Sequence, residues 1–240
     1  WSPDSGAIVF QSIDRQRNSY ALFSVNLADK VSSPLLSMEN VTSMFPLAFA
    51  PTGDSFYVAR VGGGGTDIFA VSVADASRRE IATVDGVARD WRLSPDGERA
   101  TFVNQTGEGE WELWVLDLED GFQFRLEAEG LSTDRELFSP VWRAGQELIT
   151  LGTAPGDDGN GVLNVSLSGG TAEQLPGPKQ GFDVPLAWSP QGHLLVVQEF
   201  AEYPVRRRPS LYVLTATAER QPLAQGSEVT FISWLGGNDQ

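Results

Sequence analysis

Apolar and polar residues alternate along this chain in short runs, and turn-forming residues separate the runs. Residues 20–27, 67–73, 111–118, 161–167 and 210–214 are rich in β-branched and aromatic side chains. They largely follow a two-residue period, which predicts half-buried strands. Each is preceded by a run of about five residues, at 7–10, 55–58, 98–103, 147–151 and 193–198. A shorter third strand is expected near 33–36, 79–83, 122–126, 172–175 and 220–223, and a fourth at 44–49, 88–93, 137–142, 184–188 and 229–234. No amphipathic helix of useful length interrupts the series.

The turn ahead of each first strand recurs. Trp188-Ser189-Pro190-Gln191-Gly192 has counterparts in Trp1-Ser2-Pro3-Asp4-Ser5-Gly6, Phe49-Ala50-Pro51-Thr52-Gly53-Asp54 and Leu93-Ser94-Pro95-Asp96-Gly97. Trp142-Arg143-Ala144-Gly145 is one residue shorter, and Trp234-Leu235-Gly236-Gly237 begins a last copy. The anchors Trp1, Phe49, Leu93, Trp142, Trp188 and Trp234 lie 48, 44, 49, 46 and 46 residues apart. Proline presets φ for the second position of a turn, glycine accepts positive φ, and aspartate can bond the turn's own backbone. The anchor side chains are expected to pack between neighbouring repeat units.

Four short strands per period of about 45 residues is the β-propeller pattern, in which each four-stranded antiparallel blade packs face to face on the next. The expected fold is therefore all-β, with five modules at about 1–43, 44–87, 88–136, 137–182 and 183–228 in a single domain over 1–240. Residues 229–234 form a strand with no module after it. Either that strand closes a five-bladed ring beside Ile8-Val9-Phe10, or it leads into the next blade of a ring of six or more. The start within a motif and without Met favours a fragment of a longer protein.

These turn-and-strand repeats resemble the TolB-type propellers, a WD-repeat-like family whose blades carry a Trp-Ser-Pro-Asp-Gly turn before an apolar strand. The resemblance covers nearly the whole chain. It is strong in modules one, three and five, and weaker in two and four. The Gly-His and Trp-Asp pairs of WD repeats proper are not matched. The resemblance implies a non-catalytic scaffold with protein partners, placed in the periplasm or outside the cell in a bacterial envelope. Similar propellers also sit ahead of the hydrolase domain of prolyl-oligopeptidase-type peptidases, whose catalytic residues would lie outside this chain. A third reading, a five-bladed propeller that binds or hydrolyses glycans, calls for carboxylates about 5–10 Å apart at the channel mouth.

Composition narrows these readings. A net charge of −15 opposes binding to nucleic acid or to an anionic membrane, which need a positive surface. No apolar run approaches 18 residues, so no membrane insertion is expected. The absence of cysteine removes thiolate nucleophiles and zinc–thiolate sites. The single histidine, His193, follows a turn glycine with no Gly-x-Ser-x-Gly elbow nearby, so no catalytic residue, metal or cofactor is expected.

Binding is expected at the axial mouth and on the loops of one face. The segments before the innermost strands place Ser43, Arg89, Asp90, Asp134, Arg135, Glu136, Asp183 and Glu228 at that mouth. Arg206, Arg207 and Arg208, beside Tyr203, form the one dense basic cluster and suit a carboxylate or phosphate. Gly62-Gly63-Gly64-Gly65 reads as a floppy turn, not a phosphate cradle, and Asp157-Asp158-Gly159-Asn160-Gly161 as a hairpin tip lacking the distal glutamate of a calcium loop. Sequons begin at Asn40, Asn104 and Asn164.

Overall fold

The computed structural model describes residues 1–39, 41–106, 109–156, 160–204, 209–215, 217 and 219–224. Every regular element among them is a strand. The first sheet has three strands in the order β1 (Ala7–Asp14), β2 (Ser19–Asn26), β3 (Ser32–Glu39). The second runs β4 (Ser43–Phe49), β5 (Ser55–Gly62), β6 (Gly65–Ser72), β7 (Arg78–Asp85), and the third β8 (Val87–Leu93), β9 (Arg99–Gln105), β10 (Trp111–Asp117), β11 (Gln123–Arg125). The fourth is β12 (Leu137–Trp142), β13 (Leu148–Thr153), β14 (Val162–Ser166), β15 (Glu173–Gln174). The fifth is β16 (Phe182–Trp188), β17 (Leu194–Phe200), β18 (Ser210–Thr215), β19 (Arg220–Ala224). Neighbours in sequence pair in space throughout, as the five-module reading requires. The expected strand at 229–234, with Trp234, lies outside the described residues.

The chain divides into two compact units. One holds Trp1–Arg89, Asp96–Ala100 and Leu116–Gln123; the other holds Asp90–Pro95, Thr101–Val115 and Phe124–Gln240. In the first, Leu22, Leu36, Met44, Phe56, Val58, Phe69 and Val71 form a buried cluster from sheets one and two. In the second, Val141, Val162, Leu175, Trp188, Leu195, Val197 and Leu214 do the same for sheets four and five.

Strict alternation of buried and open positions holds in β2, where Leu22 and Ser24 are buried between half-buried neighbours. It fails in β5 and β13, where Phe56 to Ala59 and Ile149 to Thr153 are buried consecutively. A strand covered on both faces reads as a continuous apolar run, because both sets of side chains leave water. The first strands of sheets two, four and five carry a shift of register at or beside a proline: between Pro46 and Ala48, Phe138 and Val141 (spanning Pro140), and Pro185 and Ala187. Proline has no N–H to donate, so it suits an edge strand with a bulge.

The turn motif folds as its residues dictate. The Ser189 hydroxyl accepts from the backbone N–H groups of His193 and Leu194 at 3.2 and 3.1 Å. Ser2 does the same for Ala7 at 2.8 Å, and both serines are buried. Gly192 has φ 69°, and a Cβ there would stand 3.2 Å from the Ala144 carbonyl oxygen of the preceding module's turn. Glycine is favoured on both counts.

The anchors divide by environment. Trp188 is buried, and its indole N–H donates to Thr150 Oγ1 at 2.8 Å on the neighbouring sheet. Trp142 donates to the Arg92 carbonyl at 3.3 Å, and Phe49 is buried edge-on to Phe56. Two anchors depart from expectation. Trp1 is 74% exposed. In module three Leu93 is only half-buried, and Trp91, two residues back on the same strand face, is the buried aromatic, stacked on Phe102 at 4.4 Å. The glycine run forms a turn: Gly62 pairs with Gly65 across a tight two-residue hairpin whose Gly63 and Gly64 have φ 61° and 92°. A primed hairpin turn demands positive φ at both central residues, which glycine adopts without a steric penalty.

Candidate functional site

The second unit gathers aromatic rings at one end of sheets four and five. Phe138 stands near the start of β12, Phe182 at the start of β16, and Phe200 at the end of β17, paired in register with Phe182. Gly152 on β13 permits the approach, since a Cβ there would lie 2.7 Å from the Asp183 carbonyl oxygen. Phe182 is buried at the centre, with ring centroids 5.7 Å from Phe138 and 5.3 Å from Phe200. Tyr203, in the loop after β17, lies edge-on to Phe182 at 5.9 Å and to Phe138 at 6.4 Å. It remains 46% exposed. Its hydroxyl donates to Glu136 Oε2 at 2.7 Å. The result is a tyrosine whose ring is seated on phenylalanines and whose polar tip is held by a carboxylate, with nearly half its surface open to solvent.

Expected mouth residues are distributed around this cluster unequally. Glu136 and Tyr203 meet directly. Asp90 accepts from the backbone N–H of Ser139 at 3.1 Å, one residue from Phe138, and has φ 57°. Arg89, on the same strand, is half-buried. Arg135 turns away and donates to the Ala154 carbonyl oxygen through Nε at 2.7 Å, while Asp134 takes the Ser132 hydroxyl.

Asp183 does not present a carboxylate to any mouth. It is fully buried and bridged by Arg220, which donates to its two oxygens at 2.6 and 3.1 Å and to Glu199 at 2.5 Å. The guanidinium also lies over the Tyr212 ring at 4.6 Å. Burial pushes the Asp183 carboxyl above its ordinary range against the pull of Arg220, with Glu199 adding to the rise. For Arg220, burial disfavours the charge, but the bonds and fields of Asp183 and Glu199 outweigh it and hold the group above its ordinary value. A buried pair of this kind ties edge strand β19 across the sheet, since breaking it would leave an uncompensated buried charge. Glu228, Arg206, Arg207 and Arg208 lie outside the described residues, as do Asp157, Asp158 and Gly159.

His193 is exposed on its turn. Among the described residues no group of three or more His, Cys, Asp or Glu side chains is placed to hold a metal ion. Asn104 and Asn164 are buried within β9 and β14, so neither sequon presents its amide to solvent; Asn40 lies outside the described residues. The residues that sequence reasoning overlooked are Phe138, Phe182, Phe200 and Arg220. The three rings fall at strand ends, where a phenylalanine reads as ordinary core, and only the sheet-to-sheet packing brings them together.

Comparison with solved structures agrees on the fold. TolB from Acinetobacter baumannii superposes with a TM-score of 0.68 at 15% identity over 93% of this chain and 54% of its own. A putative TolB from Agrobacterium tumefaciens gives 0.68 at 18% identity, over 92% of this chain and 78% of that one. An oligogalacturonate lyase in complex with manganese gives 0.71 at 15% identity, over 93% and 63%. The chain thus spans less than two thirds of the Acinetobacter TolB and of the lyase. No curated protein matches. The model of the lipoprotein LpqB β-propeller domain matches residues 2–200. The TolB-type resemblance of the turns and the all-β propeller of five antiparallel modules therefore stand, and the chain belongs to the lipoprotein LpqB β-propeller domain family.

Proposed function

We propose that this chain is a non-catalytic protein-binding module of a bacterial cell envelope, acting in the periplasm or outside the cell, and that it docks its partner on the Tyr203 end of sheets four and five. The observation that carries the proposal is the state of Tyr203: nearly half open, yet seated on Phe138 and Phe182 and hydrogen-bonded to Glu136. A rigid amphipathic ring loses little freedom on binding, which is why tyrosine is enriched among the residues that dominate interface energies. Membership in a family described by a lipoprotein supports an envelope setting. Among the described residues no helix is long and apolar enough to cross a membrane.

The test is site-specific photo-crosslinking in cells. A benzoylphenylalanine at position 203 is expected to trap a discrete partner in the envelope fraction, and one at exposed Phe122 is not. In the chain that keeps Tyr203, Glu136→Gln, which weakens the hold on the tyrosine hydroxyl, is expected to reduce co-purification of the same partner without lowering the melting temperature by more than about 2 °C. Equal adducts from both positions, or none from position 203, would end this reading.

A further inference from the structure

Outer strands β7 and β11 close their sheets to different extents. β7 pairs with β6 along its whole length, from Gly65–Asp85 to Val71–Arg78. β11 is three residues long, and the chain leaves the sheet beyond it. The Leu126 N–H still reaches the Leu113 carbonyl at 2.8 Å, but Glu129 is already paired with module four: its N–H donates to Gly170 O at 2.9 Å, and its carbonyl accepts from Ala172 N at 2.7 Å. The chain then returns to meet β10 where Thr133 O accepts the Trp111 N–H at 2.7 Å. This detour opens a cleft of about 370 Å³ beside the first residues of β10, within the second unit.

The lining of that cleft has two halves. Trp111, Leu113, Leu126 and Leu131 provide apolar walls. The polar side carries Glu110, Glu112 and Glu127 against a single guanidinium, Arg125. Arg125 forks between Glu112, at 2.8 Å, and Glu127. Glu112 is nine-tenths buried and also accepts the Trp114 indole N–H at 2.9 Å, so its position is set before any ligand arrives. The cleft is in the size range of small ligand sites, which pair apolar walls with a few placed polar groups.

We infer that the cleft receives a cationic side chain with an aliphatic stem, an arginine or lysine of a protein partner. The stem lies against the leucine and tryptophan walls, and the head meets Glu110 and the second carboxylate oxygen of Glu127, while Glu112 holds Arg125 in place. A guanidinium suits this better than an ammonium, because its planar fork bonds carboxylates in pairs and stacks on aromatic rings. The excess of carboxylate over guanidinium in the cleft, on a chain of net charge −15, favours a basic segment in approach as well as in contact. The inference rests on the protein-binding reading but uses a different surface from Tyr203, so crosslinking at position 203 succeeds or fails independently of it.

The experiment titrates the intact chain with the peptide Gly-Gly-Arg-Gly-Gly, with the same peptide carrying neutral citrulline, and with agmatine, by calorimetry and amide NMR. The arginine peptide is expected to bind with shifts confined to residues 110–113 and 125–133. Citrulline is expected to bind at least about tenfold more weakly, and Glu110→Gln to weaken the arginine peptide about fivefold, both effects shrinking in high salt. Leu131→Trp, which fills the cleft from its apolar side, abolishes binding while the melting temperature confirms a folded chain. Equal affinity for citrulline, or shifts away from this cleft, overturns the inference. Tighter binding of agmatine than of the peptide overturns the assignment to a protein side chain.

Discussion

The turns that begin at Trp1 and at Trp188 are built from the same residues and end in different environments. Both place a buried serine whose hydroxyl accepts backbone N–H groups of the following strand. Both close with a backbone N–H to carbonyl bond across the turn: Ser2 to Ala7 at 2.9 Å and Ser189 to Leu194 at 2.7 Å. Yet Trp188 is buried and bonded to Thr150, while Trp1 is 74% exposed. The comparison separates two roles within one motif. The serine, proline and positive-φ residue make a turn by local bonds, wherever it occurs. The aromatic acts only when a neighbouring sheet offers it a surface.

The sharpest attempt to break this comparison is to remove both aromatics. Trp188→Ala is expected to cost about 3–5 kcal/mol in urea unfolding, from lost burial, a residual cavity and the lost indole bond to Thr150, which keeps its bond to Asn164. Trp1→Ala is expected to stay within about 0.5 kcal/mol. A similar loss in both would show that Trp1 is covered in solution.

The positive-φ position offers a second contrast. Ser5 occupies it in the first turn, with φ 58°, where the fifth module has Gly192. Gly192→Ser is expected to destabilise by about 2 kcal/mol, from backbone strain and the close Ala144 carbonyl. Ser5→Gly is expected to stabilise by about 0.5–1 kcal/mol by relieving that strain.

Replacing the shared serines should give equal effects. Ser2→Ala and Ser189→Ala are each expected to cost about 1 kcal/mol in thermal unfolding. Unequal losses would mean that the turn draws on its neighbours after all.

The smallest expected difference is one of pH. Asp4 accepts the Ser2 hydroxyl at 2.6 Å and the Gly6 N–H at 2.9 Å, and these bonds hold its carboxyl below the ordinary aspartate range. Gln191 stands in its place in the fifth module. A depressed folded pKa stabilises above the unfolded value, and the effect is lost as pH falls through the folded value. In an NMR titration from pH 5 to 2 the Gly6 amide should therefore move with a midpoint below 3.8, and the Gly192 amide should show no carboxylate transition from its own turn.

The candidate sites show where legibility in the sequence runs out. Glu136 and Tyr203 were both visible as residues ahead of an inner strand and within a variable loop, and they lie 67 positions apart in sequence. Nothing in either stretch announces the bond between them. Asp183 is equally visible, but its pairing is not, because its partner Arg220 sits 37 residues away on an edge strand that reads as ordinary. The cleft beside β10 depends on β11 stopping at Arg125, a decision made by the pairing of Glu129 with module four and not by strand propensity.

Local rules were enough to specify the strands, the turns and their spacing, because alternation, proline and positive φ act within a few residues of themselves. They also yielded the propeller, since a module that cannot bury its own faces must stack on its neighbours. Which aromatic is covered, which carboxylate is sequestered and where a cleft opens were settled only when sheets met. Those outcomes depend on side chains tens of residues apart sharing one small volume, and no short-range pattern records which of them will meet.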